Sequence, residues 1–427
     1  MKNLIISHNP ICTYNNMGKT FMSLFSVFDK EELCQLYIYP SLPDCEFCSS
    51  YYRVTDKDVL KSYYKFKVRG REVQKEEIST ERHELFENAN DEKLYRNRKN
   101  KKPSRLLLRD LMWKFSRWYN KSLRNWIKEQ QPTCIFVAPG TGKFLYDMAL
   151  KISKKYNLPI VSYICDDYYF VKKADSFLGR IQQRFLKKKI EKLLTLSKNI
   201  VTICDELKDC YEQKFGVPTQ TIMTGSSFPI AENVKEQAQV KTITYMGNIR
   251  CNRYTALAKV GQALDEINAE NGTDFSLEIY TSEKDEGILN SFEGINSLKL
   301  CGFISGKEFE KKLQNAELLL HVEAFDEKSI DLVKHSVSTK IADSLGSGVC
   351  LLGYGPKEVA SMQHLIKNDC ALVCTAESEL KGFLWKAFFD VEERKRVVEN
   401  ALKAARLYHD GFVTSRRLYE MMNTLLK

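Results

Sequence analysis

No stretch of this 427-residue chain approaches the roughly 18 consecutive apolar residues that a membrane-crossing helix needs. The opening Met1-Lys2-Asn3-Leu4-Ile5-Ile6-Ser7 has an apolar run far too short for the core of a secretory signal. The chain is therefore expected in the cytoplasm, with its thirteen cysteines reduced. They stand singly in strand-like runs such as Cys134-Ile135-Phe136-Val137, as small core residues do. No second cysteine pair or histidine pair accompanies Cys45-Glu46-Phe47-Cys48, so no metal site is expected. Tracts rich in Pro and Gly or in Gln and Asn are missing too, and short-period repeats with them, which excludes low-complexity and solenoid architectures. Phosphate-loop spacing also fails. Gly18-Lys19-Thr20 has Thr13 where the first glycine belongs; Gly142-Lys143 has Val137 there and is followed by Phe144.

What remains is a folded composition, 43% hydrophobic and 28% charged, on a chain longer than one core accommodates. Strand and helix signals alternate throughout. Strands are expected at Asn3–Ile6, Leu36–Tyr39, Tyr51–Val54, Cys134–Val137, Ile160–Ile164 and Ile200–Ile203. The pattern restarts with Thr242–Met246, Ser276–Tyr280, Leu298–Cys301, Leu318–Val322 and Val349–Leu352. This predicts two doubly wound α/β domains facing a cleft: residues 1–230 with a basic helical insertion near 90–130, a linker at 231–240, and residues 241–390. Helices over 391–427 are expected to pack back toward the first domain.

Two segments carry anion chemistry. Ser338 and Thr339 suit the N-cap of a helix beginning at Lys340 and ending at Gly346 and Gly348. Its free N–H groups, its dipole, both hydroxyls and the Lys340 ammonium would converge on a phosphate. Asp343, one turn on, could accept from a ribose diol; the plainer alternative is a capping box. Tyr245-Met246-Gly247-Asn248-Ile249-Arg250, with Arg253 beyond, is a strand ending in glycine and then a basic loop. Backbone can approach a phosphate there, and Arg250 or Arg253 can grip it bidentately.

The Ser338–Asp343 segment, with Leu345, Gly348, the strand Val349–Leu352 and Tyr354-Gly355-Pro356, resembles the donor-binding helix of glycosyltransferase family 4 and its capsule and polysaccharide relatives. The resemblance implies a GT-B fold of two Rossmann-like domains and a nucleoside diphosphate-sugar donor. It places Lys340 on the diphosphate, Asp343 on the ribose and the Gly247 loop on the same diphosphate. Asp343 replaces the family's Glu, and the Pro after the last Gly is absent. The family's paired carboxylate would fall eight residues before Asp343, at His335, which breaks that motif. Glu323, just after a strand, takes its topological place if 324–337 is an insertion, and is otherwise a solvated loop residue. A glycine-bearing turn after strand one faces the donor in GT-B enzymes, which puts Gly18 there.

Asp166 and Asp167 follow the strand Ile160–Ile164, where one is expected to serve the acceptor and the other the structure. The net charge of +10 is uneven: from Lys93 to Glu129 thirteen Lys or Arg face two acids, Asp110 and Glu129. One helix from Pro103 to Lys128 is expected. Either it buries an apolar face behind a solvated basic back, or it meets an anionic membrane surface. Nucleic acid is not expected as a partner, since no recognition motif accompanies the charge.

The expected activity is transfer of a sugar from a nucleoside diphosphate-sugar to a hydroxyl of a glycan, lipid-linked and built at the inner face of a bacterial membrane. It is expected to proceed with retention, without a cofactor or metal, on a protein peripheral to the plasma membrane. A sugar-nucleotide epimerase of similar shape and a non-catalytic nucleotide-sugar-binding protein are the alternatives.

Overall fold

The computed structural model describes residues 1–65, 70–78, 103–172, 174–235 and 239–425. The part of the basic insertion before Pro103 lies outside the described residues, as do 236–238 of the expected linker. Two compact units result: Met1–Ile222 with Thr414–Lys427, and Met223–Val413.

The first unit holds β1 (Asn3–Ser7), β2 (Leu33–Tyr37), β3 (Ser50–Arg53), β4 (Arg71–Glu72), β5 (Cys134–Ala138), β6 (Ile160–Ile164), β7 (Asn199–Thr202) and β8 (Thr219–Thr221). They form one sheet in the order β4-β3-β2-β1-β5-β6-β7-β8. Neighbours run parallel except β3 and β4. The strands β1, β5 and β6 are buried along their whole length, as expected where helices cover both faces. The helices are α1 (Asn16–Leu24), α2 (Asp56–Lys65), α3 (Pro103–Phe115), α4 (Lys121–Gln130), α5 (Lys143–Tyr156), α6 (Phe177–Leu194) and α7 (Asp205–Phe215).

The single helix expected from Pro103 to Lys128 is two. It breaks over Ser116–Asn120, and Asn120 caps α4 by accepting from the Leu123 N–H at 3.0 Å. Its buried face is selected by a polar group. Asp56, 1% exposed, accepts from Trp113 Nε1 at 2.6 Å and from Arg109 Nε at 3.1 Å. Trp113 in turn stacks on Phe144, ring centroids 4.4 Å apart. A buried carboxylate requires donors, so the side of α3 that carries them turns inward. Leu108, Leu111 and Phe115 are left exposed.

The second unit holds β9 (Thr242–Met246), β10 (Ser276–Tyr280), β11 (Leu298–Leu300), β12 (Leu318–Val322), β13 (Cys350–Tyr354) and β14 (Leu372–Cys374). Their order is β11-β10-β9-β12-β13-β14, all neighbours parallel. The helices placed around this sheet are α8 (Arg253–Asn271), α9 (Gly306–Asn315), α10 (Glu327–Val333), α11 (Thr339–Gly346), α12 (Ala360–Lys367), α13 (Leu380–Phe389) and α14 (Val391–Ala404). The strand order reverses between β9 and β12. These two pair only through Leu318 with Ile243 and Leu319 with Thr244, so their carboxyl ends part.

The polar stretch 231–240 falls within the second unit. Ala231 donates to the Gly346 carbonyl at 2.7 Å and Lys235 to that of Gly348 at 3.0 Å. The closing helix α15 (Gly411–Thr424) brings Leu418, Met421 and Met422 into the core of the first unit. Phe28 and Tyr419 pack edge to face there, centroids 4.9 Å apart.

Replacing Asp56 by Ala leaves the Trp113 and Arg109 donors buried without an acceptor. The loss expected is about 3 kcal/mol, measurable as a lowered urea midpoint.

Candidate anion site at the carboxyl edge of the second sheet

In an open parallel sheet a ligand site is expected beyond the carboxyl ends of the strands, where their order reverses. In the second unit that place lies beyond β9 and β12. The turn after β9 begins at Gly247, whose N–H donates to the Tyr280 carbonyl at 2.8 Å. A Cβ built on Gly247 would collide with Lys340 Nζ. The lysine tip thus occupies the space that a side chain at 247 would take, and the two separately predicted segments meet.

Lys340 enters from the first turn of α11. Ser338 caps this helix, its hydroxyl accepting from the Lys340 N–H at 3.4 Å. Thr339, the first helical residue, is exposed. Burial pushes the Lys340 ammonium down to about 8; the Arg253 charge adds to the shift, and Asp343 opposes it. Among the described residues Lys340 forms no ion pair.

Arg253, the first residue of α8, is clamped by Glu323 through two hydrogen bonds of 2.9 Å. Glu323 is 2% exposed, so the solvated-loop reading fails for it. Its N–H donates to the Tyr354 carbonyl at 2.9 Å, and a Cβ on Gly355 would meet the Glu323 Cβ at 3.0 Å. Two residues earlier, His321 is buried with Nε2 3.5 Å from Glu323 Oε1 and 3.2 Å from Ser361 Oγ. Burial pushes its pKa down to about 4, against the pull of Glu323 and with the push of Arg253 and Lys340. The imidazole is accordingly neutral at pH 7. His321 escaped the sequence reading, although a histidine inside the aliphatic run Leu318–Val322 was a signal.

Arg250 points elsewhere, to Glu283, which it holds down to about 2 through a direct hydrogen bond. Asn248 is exposed, and its Oδ1 accepts from the Arg250 N–H at 2.8 Å. Asp343 is 8% exposed; its Oδ1 accepts from the Ser227 N–H at 2.7 Å and from Ser226 Oγ at 3.2 Å. That carboxylate oxygen ties α11 to the segment entering the second unit.

The remaining candidates stand in the first unit. Gly18 is buried, its N–H donating to Asn15 Oδ1 at 2.6 Å, and a Cβ there would strike the backbone of Cys12. It provides close packing of α1 on the preceding loop. Asp167 Oδ1 accepts from the Tyr169 and Phe170 N–H groups, both at 2.9 Å, and from the Tyr211 hydroxyl at 3.1 Å, which organises the turn after β6. Asp166 Oδ2 accepts from the Tyr168 hydroxyl at 2.9 Å. Among the described residues no cluster of three or more His, Cys, Asp or Glu could hold a metal.

No family model and no curated protein matches the sequence. Solved structures do match over the whole chain. A sucrose-phosphate synthase from Thermosynechococcus elongatus is similar at a TM-score of 0.61 and 10% identity, covering 100% of this chain and 99% of its own. Anabaena HepE in complex with UDP matches at 0.61 and 10%, covering 99% and 100%. The lipopolysaccharide outer core galactosyltransferase WaaB matches at 0.59 and 11%, covering 99% of each. With its two parallel Rossmann-like sheets, the chain has the GT-B fold.

An ammonium with its pKa near 8 should stand out chemically. Lys340 is expected to react with an amine-selective acylating reagent half-maximally near pH 8, whereas ordinary lysines titrate at about 10.4. Peptide mass spectrometry of a pH series reads this, and a Lys340 profile matching that of other lysines would refute it.

Proposed function

We propose that the chain transfers a sugar from a nucleoside diphosphate-sugar to a hydroxyl of a glycan. The observation that carries this reading is the Lys340 ammonium, half-buried against the bare α-carbon of Gly247 and without an ion pair among the described residues. A cation so placed is stabilised by an anion arriving beside it. The first turn of α11 adds N–H groups, and Arg253 adds a second cation nearby. These charges would stabilise the departing diphosphate as the glycosidic bond breaks. The capture of UDP by HepE supports a nucleoside diphosphate as the ligand class. The part played by WaaB in lipopolysaccharide supports a lipid-linked glycan as acceptor and a role in surface polysaccharide synthesis.

Glu323 is assigned here to positioning: by clamping Arg253 it fixes a guanidinium that would otherwise swing. Asp343 stays the candidate for the ribose, as the resemblance implies. Asp166 is the candidate acceptor-side carboxylate. Departing charge is met by side-chain cations, so the scheme needs no metal, and activity should survive EDTA. Retention of anomeric configuration is proposed with the family resemblance and is read by NMR of the product.

Calorimetry with UDP and GDP tests the site. Lys340→Ala should weaken binding about tenfold to a hundredfold, the worth of one charge-assisted contact. Unchanged affinity, or no binding of either nucleotide by the natural chain, would refute the assignment. Glu323→Gln separates two roles: a positioning residue loses nucleotide affinity when changed, whereas a catalytic one loses turnover at unchanged affinity. The locked Glu323 also favours a second reading, a non-catalytic nucleotide-sugar-binding protein, which slow donor hydrolysis would exclude. Product formed from donor alone, without acceptor or hydrolysis, would instead indicate an epimerase.

A further inference from the structure

Eight of the nineteen large apolar side chains exposed among the described residues stand on α2, α3 and α6 of the first unit. These helices are neighbours. The Tyr63 hydroxyl of α2 donates to the Met112 carbonyl of α3 at 2.5 Å, and Pro103 of α3 lies 3.8 Å from a Cβ built on Gly179 of α6. On α3 the exposed residues Leu108, Leu111 and Phe115 are spaced three and four apart, as a single outward ridge requires. The same helical geometry sets exposed Arg105 on one flank of that ridge and exposed Lys114 on the other. On α6, Phe177, Leu178 and Phe185 are exposed beside Arg180, Arg184 and Lys188. Leu60 and Tyr63 extend the apolar surface onto α2.

The acids of α2 and α3 are engaged elsewhere. Asp56 is held by Arg109 and Trp113. Asp58 accepts from Thr55, and Asp110 pairs with Lys143. Residues 177–190 contain no carboxylate at all.

From this we infer that α2, α3 and α6 form a docking surface for an anionic lipid bilayer. A protein partner would be met by an apolar centre depleted of charge. Here cations flank the apolar ridge on both sides, the arrangement that places leucine and phenylalanine at the acyl boundary while arginine and lysine reach headgroup phosphates. Each such cation contributes through attraction to anionic lipid, and the apolar residues contribute by insertion. The inference stands on the first unit alone and does not rest on sugar transfer.

Flotation of the full chain tests it, with phosphatidylcholine vesicles lacking or containing about 30% phosphatidylglycerol. The natural chain should float with the anionic vesicles only. The combined variant L108S/L111S/F115S should lose partitioning by more than about tenfold. R105Q/K114Q should lose about fivefold per cation, equivalent to about 1 kcal/mol each. The substituted side chains are exposed, so far-UV circular dichroism and the thermal midpoint should not change. Phe303→Ser, exposed on the second unit, should float like the natural chain. Recovery equal on neutral vesicles, no flotation on either, or equal loss in Phe303→Ser would overturn the inference. So would a concentration-dependent dimer abolished by the serine variant and unaffected by vesicles, which would make a second copy the occupant. UDP affinity is expected to be the same in all these variants, which separates failure here from failure of the donor site.

Discussion

The close approach of the Lys340 ammonium to the bare α-carbon of Gly247 is the constraint on which the site depends. It requires the strand order to reverse between β9 and β12, so that the turn after β9 stands clear of its neighbour. It requires α11 to begin where Ser338 caps it, which aims Lys340 at that turn. The lysine is left beside a second cation, Arg253, whose charge Glu323 takes up through paired hydrogen bonds. Burial and the arginine together weaken the hold of Lys340 on its proton. An incoming anion would reverse both effects, which is the physical sense in which the arrangement is incomplete alone.

Neighbouring carboxylates are committed in ways that limit what they can do. Glu323 is fully engaged by Arg253 with His321 behind it, so its freedom to act on a ligand depends on Arg253 finding another partner. Asp343 spends one oxygen on Ser226 and Ser227. Both residues couple the position of a helix or loop to the charge balance of the site. Disturbing either is therefore expected to move more than one contact.

A different constraint governs the first unit. Helix α3 has apolar residues around much of its circumference, and hydrophobicity alone does not select its buried face. The buried Asp56 does, because its carboxylate needs the Trp113 and Arg109 donors. Leu108, Leu111 and Phe115 are exposed as a consequence. One polar group thus decides what kind of surface this unit presents.

Both sheets were largely legible from the sequence, since buried parallel strands read as unbroken apolar runs bounded by glycine and polar turns. The short edge strands β4, β8 and β14 were not, being two or three residues long. The cap at Ser338 and the glycine at 247 were legible because caps and strand ends depend on residues within one turn. The partners of the charged residues were not. Glu323 meets Arg253 across 70 positions and Asp343 meets Ser227 across 116. Local pattern thus determined which elements form and where α11 begins. Tertiary structure alone decided which carboxylate neutralises which cation, that the Lys340 ammonium comes to lie against Gly247 and which face of α3 meets solvent. Those outcomes follow from charge and burial among segments that only folding brings together.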